Sequence, residues 1–157
     1  MKHCHYKLHG FGLLVLRLGL GAIFLAHGSQ TVLGWFGGSG LEATVQGFVN
    51  MGSQPWIGYA VAFGELLGGL GIIVGCLTRL AGLGLSVIMG GAVFLVHLKN
   101  GFFLNHFGTP DKGHGIEFAL ALLCMALALV FTGAGFFSID RKLFVKKEPK
   151  ETDTISD

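Results

Sequence analysis

Four long apolar stretches dominate the chain, and short polar or glycine-rich segments separate them. The stretches cover about residues 8–33, 56–77, 80–98 and 116–137. Each is at least about 19 residues long, which is enough for a helix to cross a hydrocarbon core of roughly 30 Å. The backbone finds no water in that core and must bond to itself, so each stretch is expected to be a helix. The pattern therefore predicts an all-α membrane protein, a bundle of four transmembrane helices.

The segments between the stretches predict how the helices are joined. Only Thr78 and Arg79 separate the second stretch from the third, so these two helices are expected to be antiparallel neighbours. A short amphipathic helix is expected in the glycine-rich loop between the first two stretches, lying on the outer membrane surface. Its apolar face would consist of Leu41, Val45, Phe48 and Val49.

The end of the chain differs in composition from the rest. From Ser138 onwards lysine, glutamate and aspartate alternate, which is typical of a solvated and mobile segment. We assign residues 1–143 to one membrane domain and expect residues 144–157 to form a charged, disordered cytoplasmic tail.

The composition supports a membrane protein and excludes several other classes. Hydrophobic residues make up 52% of the chain and charged residues 13%, against roughly 25% charged residues in an ordinary soluble domain. The net charge of +2 is too small to indicate a nucleic-acid-binding protein. The three cysteines, Cys4, Cys76 and Cys124, form neither a Cys-x-x-Cys pair nor a metal-binding spacing, so no metal site is predicted. Glycines spaced as in Gly64-x-x-x-Gly68 are typical of close helix contacts.

The distribution of lysine and arginine predicts the orientation in the membrane. Four crossings place both termini on one side, and most cations fall there: Lys2, Lys7, Arg79, Arg141, Lys142, Lys146, Lys147 and Lys150. The other side holds Lys99 and Lys112. Because cytoplasmic segments carry an excess of lysine and arginine, both termini are expected in the cytoplasm. An aromatic belt is expected at the outer surface, formed by Trp35, Phe36, Trp56, Tyr59, Phe102, Phe103 and Phe107.

Two charged side chains lie deep inside the predicted helices. Arg17 is about nine residues into the first helix from the cytoplasmic side, and Glu65 is about nine residues into the second from the outer side. At 1.5 Å per residue both are expected about 13–14 Å deep, near the middle of the bilayer. A lone charge is costly there, so we expect Arg17 and Glu65 to pair. Such a pair either belongs to a ligand site or only locks the register of two helices.

A second layer of ionisable residues is expected nearer the outer surface. His27 and His97 end the first and third helices there, and Glu117 begins the fourth. Together with Arg17 and Glu65, these groups are expected to converge on a polar pocket that opens outward. Its mouth would hold Gln30, Asn100, Asn105 and His114. The structural alternative treats the histidines as residues of the wet interface and Glu117 as a charge favoured by the helix dipole.

Several short blocks of the sequence resemble the DoxX family. These are Arg17-Leu18-Gly19-Leu20-Gly21, Ala26-His27-Gly28, Gly34-Trp35-Phe36-Gly37-Gly38, Gly64-Glu65-Leu66-Leu67-Gly68-Gly69, Gly75-Cys76-Leu77-Thr78-Arg79, His97-Leu98-Lys99-Asn100-Gly101-Phe102-Phe103 and Gly115-Ile116-Glu117-Phe118. They follow one another in the family's order over about residues 13–143. One difference is Thr31, which follows Gln30 where the family often has a lysine.

The resemblance implies a four-helix protein of the bacterial inner membrane, similar to the small subunit associated with thiosulfate:quinone oxidoreductase. It implies a membrane redox role, alone or with a partner subunit of a redox complex. The outward pocket would then take a quinone, with Glu65 and Glu117 as a proton relay. The ligand would be bound by Arg17, His27, His97, Gln30 and Asn100.

Other functions remain open from the sequence. The buried acids also suit a protein that binds or transports a small solute or protons. The same residues suit a non-catalytic assembly subunit, in which the polar cluster only holds the bundle together. A haem between His27 and His97 is disfavoured, because two interfacial histidines are common. The oligomeric state is also open.

Overall fold

The structure, a computed structural model, describes residues 2–110 and 112–144. Within these residues the chain forms six α-helices and no strand. They are α1 (Lys2–Leu33), α2 (Gly40–Asn50), α3 (Pro55–Val74), α4 (Thr78–Gly91), α5 (Glu117–Thr132) and α6 (Ile139–Phe144). Helix α4 continues into a wider π-helical turn at Ala92–His97 and a tight 3₁₀ turn at Leu98–Asn100. The prediction of an all-helical protein is confirmed.

Three segments of the helices are long and apolar enough to cross a membrane: Gly10–Leu33, Pro55–Val74 and Thr78–Asn100. They correspond to the first three predicted stretches. The fourth helix is shorter than the predicted 116–137, because α5 has 16 residues and the chain leaves the helix at Gly133 with φ 76°. The chain is therefore a helical membrane protein, and a fourth crossing stays a prediction.

The long helices pack as antiparallel neighbours in the order α1, α3, α4, α5. The start of α1, the α3–α4 turn and the segment after α5 meet at one end of the bundle, which we call the terminal end. The opposite end, the loop end, holds residues 34–54, 98–110 and 112–116 together with the helix ends beside them. The predicted antiparallel pairing of the second and third stretches is confirmed. All seven residues of the predicted aromatic belt lie at the loop end and are exposed.

Glycines allow α1 and α3 to pack closely, and these two helices share the most extensive contact in the bundle. A Cβ atom added to Gly69 would lie 2.6 Å from the amide nitrogen of Leu25, and one added to Gly28 would meet the backbone of Leu66. Gly64 and Gly68, whose spacing indicated a close contact, instead face side chains of α4. Backbone therefore meets backbone between α1 and α3.

The short helix predicted between the first two stretches is present as α2, and it packs on α3. Val45 of its apolar face is buried, and a Cβ atom at Gly58 of α3 would lie 2.9 Å from the Cα atom of Val45. The second long helix ends at Val74, before the predicted boundary at 77, because Gly75 adopts a left-handed φ of 68°. This turn brings the polypeptide directly into α4.

The segment after Ser138 begins with a folded element, although the exposed side chains of Ile139, Arg141, Lys142 and Leu143 agree with the solvated chain that its charges indicated. Ser138 is buried, and the next residues form helix α6. The amide of Asp140 donates to the carbonyl oxygen of Gly75 over 2.9 Å, which fastens α6 to the α3–α4 turn. Beyond Phe144, the predicted tail lies outside the described residues.

Candidate functional site

The loop end contains a cleft of about 370 Å³ between α1, the end of α4 and the start of α5. It is lined by His27, His97, Leu104, Asn105, His106, His114, Gly115, Phe118 and Ala119. We call it the histidine cleft. The structure thus brings together His27 and His97, from helices that are far apart in sequence, with two residues of the predicted mouth. His97 closes the π-helical turn, a feature that often occurs at functional sites.

Backbone contacts fix the hydrogen-bonding state of two histidines in this cleft. Nδ1 of His97 lies 2.9 Å from the carbonyl oxygen of His114. Because a carbonyl only accepts, this Nδ1 carries the proton, and Nε2 of the neutral ring is an acceptor. In His114 the arrangement is reversed: the amide of Asn105 donates to Nδ1 over 3.3 Å, so the neutral ring carries its proton on Nε2. The cleft therefore offers one accepting and one donating imidazole.

Glu117 and Asn100 hold the loop that forms one wall of the cleft, and neither lines it. The carboxylate of Glu117 accepts a hydrogen bond of 3.1 Å from the amide of Leu104. The side-chain amide of Asn100 donates to the carbonyl oxygen of His114 over 3.1 Å. Both residues are thus placed to position side chains of the histidine cleft.

Gln30 and Glu65 also lie outside the cleft lining. The side-chain amide of Gln30 donates to the carbonyl oxygen of Phe36 over 3.3 Å and so ties down the turn after α1. Glu65 lies in the middle of α3, on the stripe that includes the buried residues Ala62 and Gly69. Its carboxylate is half-buried and makes no hydrogen bond or ion pair with any residue in the described part of the chain. An acid without a partner at this depth is a functional candidate.

Arg17 does not pair with Glu65, so that prediction is wrong. Its side chain is fully buried at the terminal end and donates to backbone carbonyls. Nε donates to Ile72 over 2.9 Å, Nη2 to Ile73 over 2.8 Å, and Nη1 to Ala134 over 2.8 Å, Phe136 over 3.2 Å and Phe137 over 3.4 Å. The guanidinium therefore lies outside the histidine cleft, at the opposite end of the bundle.

The register between α1 and α3 separates the two charges, and the direction of the side chains adds to it. Side chains lean toward the N-terminus of their own helix, so in antiparallel helices Arg17 leans toward the terminal end and Glu65 toward the loop end. Gly28 contacts Leu66, which places Glu65 level with His27 of α1. His27 lies ten residues beyond Arg17, or about 15 Å along the helix axis.

The position of Arg17 gives it a structural role that the sequence did not reveal. The last carbonyl groups of a helix have no partner within that helix. Arg17 supplies donors to the end of α3, at Ile72 and Ile73, and to the chain that follows α5, at Ala134. Gly75 is required beside it, because a Cβ atom there would meet the guanidinium. One buried cation thus holds three segments together.

Asp140 is a second residue of the terminal end that the sequence analysis missed. Its carboxylate accepts hydrogen bonds from the amides of Leu77 over 2.6 Å and Thr78 over 2.9 Å. It thereby caps the start of α4, where helix amides lack partners. A separation of more than 60 residues between donor and acceptor left no sequence signal for this contact.

Five further lining residues of the cleft were not predicted: Leu104, His106, Gly115, Phe118 and Ala119. The concentration of polar residues between the third and fourth stretches was the available signal for His106, and Phe118 directly follows the candidate Glu117. The described residues contain no group of three or more histidine, cysteine, aspartate or glutamate side chains that could hold a metal ion.

The fold and the two ends of the bundle define the class: a small helical membrane protein with a histidine-lined cleft between its spans. The sequence model of the DoxX family matches residues 12–98. The chain is 33% identical over 142 residues to "Putative oxidoreductase CatD" of Bacillus subtilis, covering 90% of this chain and 94% of that protein. The chain therefore belongs to the DoxX family.

A second relative is described as an uncharacterized protein of Haemophilus influenzae. It is 30% identical over 142 residues, which cover 89% of this chain and 96% of the relative. No solved structure matches the chain.

Proposed function

We propose that the protein is a membrane redox protein, or the small subunit of a quinone-linked oxidoreductase complex, that binds a quinone-type ligand in the histidine cleft. The observation that carries this proposal is the meeting of His27, His97 and His114 in one cleft beside the apolar ring of Phe118. The similarity to a relative named as an oxidoreductase agrees with it.

The hydrogen-bonding states of the histidines suit both forms of such a ligand. A quinone presents carbonyl oxygens, which accept a hydrogen bond from Nε2 of His114. The reduced form presents hydroxyl groups, which donate to Nε2 of His97. The quinone supplies the two-electron redox chemistry when bound, and the chain binds and orients it.

The two acids have different proposed roles. Glu65 lies at the level of His27, without a partner in the described chain, and is the proposed proton carrier. Glu117 holds Leu104 of the cleft wall and is a positioning residue. The relay from Glu65 to Glu117 stays a prediction, since no hydrogen bond joins these two side chains.

Binding of a short-chain ubiquinone tests this proposal. We expect saturable binding to the purified protein in nanodiscs, read as a rise in thermal stability and by mass spectrometry of extracted small molecules. His97→Ala removes the accepting imidazole and should weaken binding by about tenfold, the value of one hydrogen bond. Gln46→Ala is the control, because this exposed residue lies on α2 and bonds Asn50. Absence of saturable binding to the wild type would contradict the proposal.

A proton-linked binding or transport role is the second candidate, and Glu65 is the observation that favours it. An unpaired acid inside a span is typical of proton pathways. Uptake measurements in proteoliposomes with and without a proton gradient, on the wild type and Glu65→Gln, distinguish the two functions. A gradient-driven uptake lost in Glu65→Gln would favour transport over the redox proposal.

We also propose that both termini lie in the cytoplasm of a bacterium, that α5 completes a fourth crossing of its inner membrane, and that the histidine cleft opens outward. The cations near the terminal end and the exposed aromatic residues at the loop end support this orientation. Single cysteines at positions 112 and 142, in a background without other cysteines, are treated with an impermeant thiol reagent. The cysteine at 112 should react in intact cells, and the cysteine at 142 only after the membrane is permeabilised. Labelling of both positions from one side would contradict four crossings.

A further inference from the structure

A second and larger cleft, of about 760 Å³, opens at the terminal end of the bundle. Its walls come from the starts of α1 and α4, the end of α5 and the following turn, and α6. Two arginines, Arg79 of α4 and Arg141 of α6, line it together with Asp140. The proposed function does not use this cleft, which lies at the opposite end from the histidine cleft.

Both arginines have guanidinium N–H groups that donate to no acceptor among the described residues. Arg141 lies flat on the ring of Phe136, with Cζ 3.9 Å from the ring centroid, and its guanidinium donates to no other residue in the described ranges. Arg79 makes one long contact, 3.5 Å, from Nη2 to the carbonyl oxygen of Phe131. A Cβ atom at Gly133 would lie 3.2 Å from Nε of Arg79, so the glycine leaves room for this cation.

The acid in the cleft offsets only one of these two charges. Both carboxylate oxygens of Asp140 accept hydrogen bonds from the start of α4, at Leu77 and Thr78, but the carboxylate keeps its negative charge. The two arginines and Asp140 therefore leave the lining with a net positive charge. This charge balance is complementary to an anion with several oxygen acceptors, because guanidinium groups bind phosphate through paired donors.

Thr78 provides an independent indication that a partner is missing. Its side chain is fully buried, it lines the cleft, and its hydroxyl has no hydrogen-bond partner among residues 2–110 and 112–144. Buried hydroxyls are rarely left unpaired, because such a group loses its bonds to water without replacement. The hydroxyl is closed to a water molecule, so a ligand oxygen would bond to it only after the side chains around it move.

The position of the cleft relative to the membrane identifies the ligand. One candidate crossing segment ends at Val74 and the next begins at Thr78. If both cross the membrane, the arginines are expected at the level of the lipid headgroups. Leu80 lines the same cleft and is 63% exposed, which provides an apolar surface for acyl chains. We propose that the cleft binds an anionic phospholipid, with its phosphate between Arg79 and Arg141 and its chains along Leu80.

Lipid selectivity tests this proposal on the full chain. The protein is reconstituted in nanodiscs of phosphatidylcholine, with or without phosphatidylglycerol, and the retained lipid is counted by native mass spectrometry after delipidation. We expect the wild type to retain phosphatidylglycerol preferentially. The double variant Arg79→Ala/Arg141→Ala should lower this selectivity by about 25-fold, since each arginine near the membrane surface contributes about fivefold.

The matched control removes the same charge at the other end of the bundle. Lys99→Ala/Lys112→Ala should retain the wild-type selectivity, because both lysines are exposed at the loop end. Equal selectivity in the wild type and the arginine double variant would overturn the proposal. Inorganic phosphate is also added to the protein in pure phosphatidylcholine. If it raises the thermal stability as much as phosphatidylglycerol does, the site binds free anions, and this result would also overturn the proposal.

Thr78→Val keeps the test decisive if the arginine double variant does not fold. This change removes the unpaired hydroxyl with almost no change of shape, so the thermal stability in phosphatidylcholine should be equal to or above that of the wild type. The preference for phosphatidylglycerol should fall by about fivefold, as expected for a lost hydrogen bond to a charged group. Full retention of the preference in Thr78→Val would contradict the assignment.

Discussion

Replacing Arg17 with alanine is expected to lower the free energy of unfolding by about 3–5 kcal/mol. The guanidinium is fully buried and donates at 2.8–2.9 Å to carbonyl oxygens of Ile72, Ile73 and Ala134. Alanine leaves the carbonyl oxygens of Ile73 and Ala134 without a partner, whereas that of Ile72 still accepts from the amide of Gly75 over 3.2 Å. Each buried unpaired group costs about 1–3 kcal/mol. Reversible unfolding of the reconstituted protein in increasing dodecyl sulfate measures the change.

Two further variants show what the side chain contributes. Arg17→Lys retains the positive charge, but an ammonium group is too compact to reach the carbonyls of α3 and of the chain after α5 together. It should therefore lie between the wild type and alanine in stability. Lys99→Ala removes one exposed cation at the loop end and should have little effect. If Arg17→Ala and Lys99→Ala unfold at the same concentration of dodecyl sulfate, the hydrogen bonds of the Arg17 guanidinium are not a major source of stability.

Replacing Gly69 with alanine is expected to destabilise the bundle by about 1–3 kcal/mol, as overpacking of a close contact does. The new methyl group would lie 2.6 Å from the amide nitrogen of Leu25 and 3.0 Å from the carbonyl oxygen of Gly21. Both atoms belong to the backbone of α1, so the steric clash is relieved only if the two helices move apart. The same dodecyl sulfate titration measures the loss of stability.

Gly19 offers a matched control on the other helix of the pair. A Cβ atom there would find no atom within 4 Å, so Gly19→Ala adds the same methyl group without a steric clash. Alanine is the better helix former by about 1 kcal/mol, so this variant should be as stable as the wild type or slightly more stable. Equal loss of stability in Gly19→Ala and Gly69→Ala would show that the effect is not steric.

The sequence predicted part of the candidate site. Its depth argument placed His27 and His97 at one end of the bundle, and both line the histidine cleft. The same argument failed for Arg17 and Glu65, because it measured depth from assumed helix ends. The contact of Gly28 with Leu66 instead puts Glu65 level with His27, ten residues beyond Arg17. The contacts of Asp140 and Thr78 join segments more than 60 residues apart, and no local pattern records them.

By itself the sequence determined the helical membrane class and the position of three crossing helices, because apolar length and backbone hydrogen bonding leave no other choice in a bilayer. It also indicated the loop-end aromatic residues, the short helix α2 and the family. Only the tertiary structure decided which glycines join α1 to α3, which carbonyl oxygens accept from Arg17 and which ring nitrogen of His97 and of His114 carries the proton. These features depend on the distance and direction between atoms of different helices, which are set when the helices pack and not by the spacing of residues within one helix.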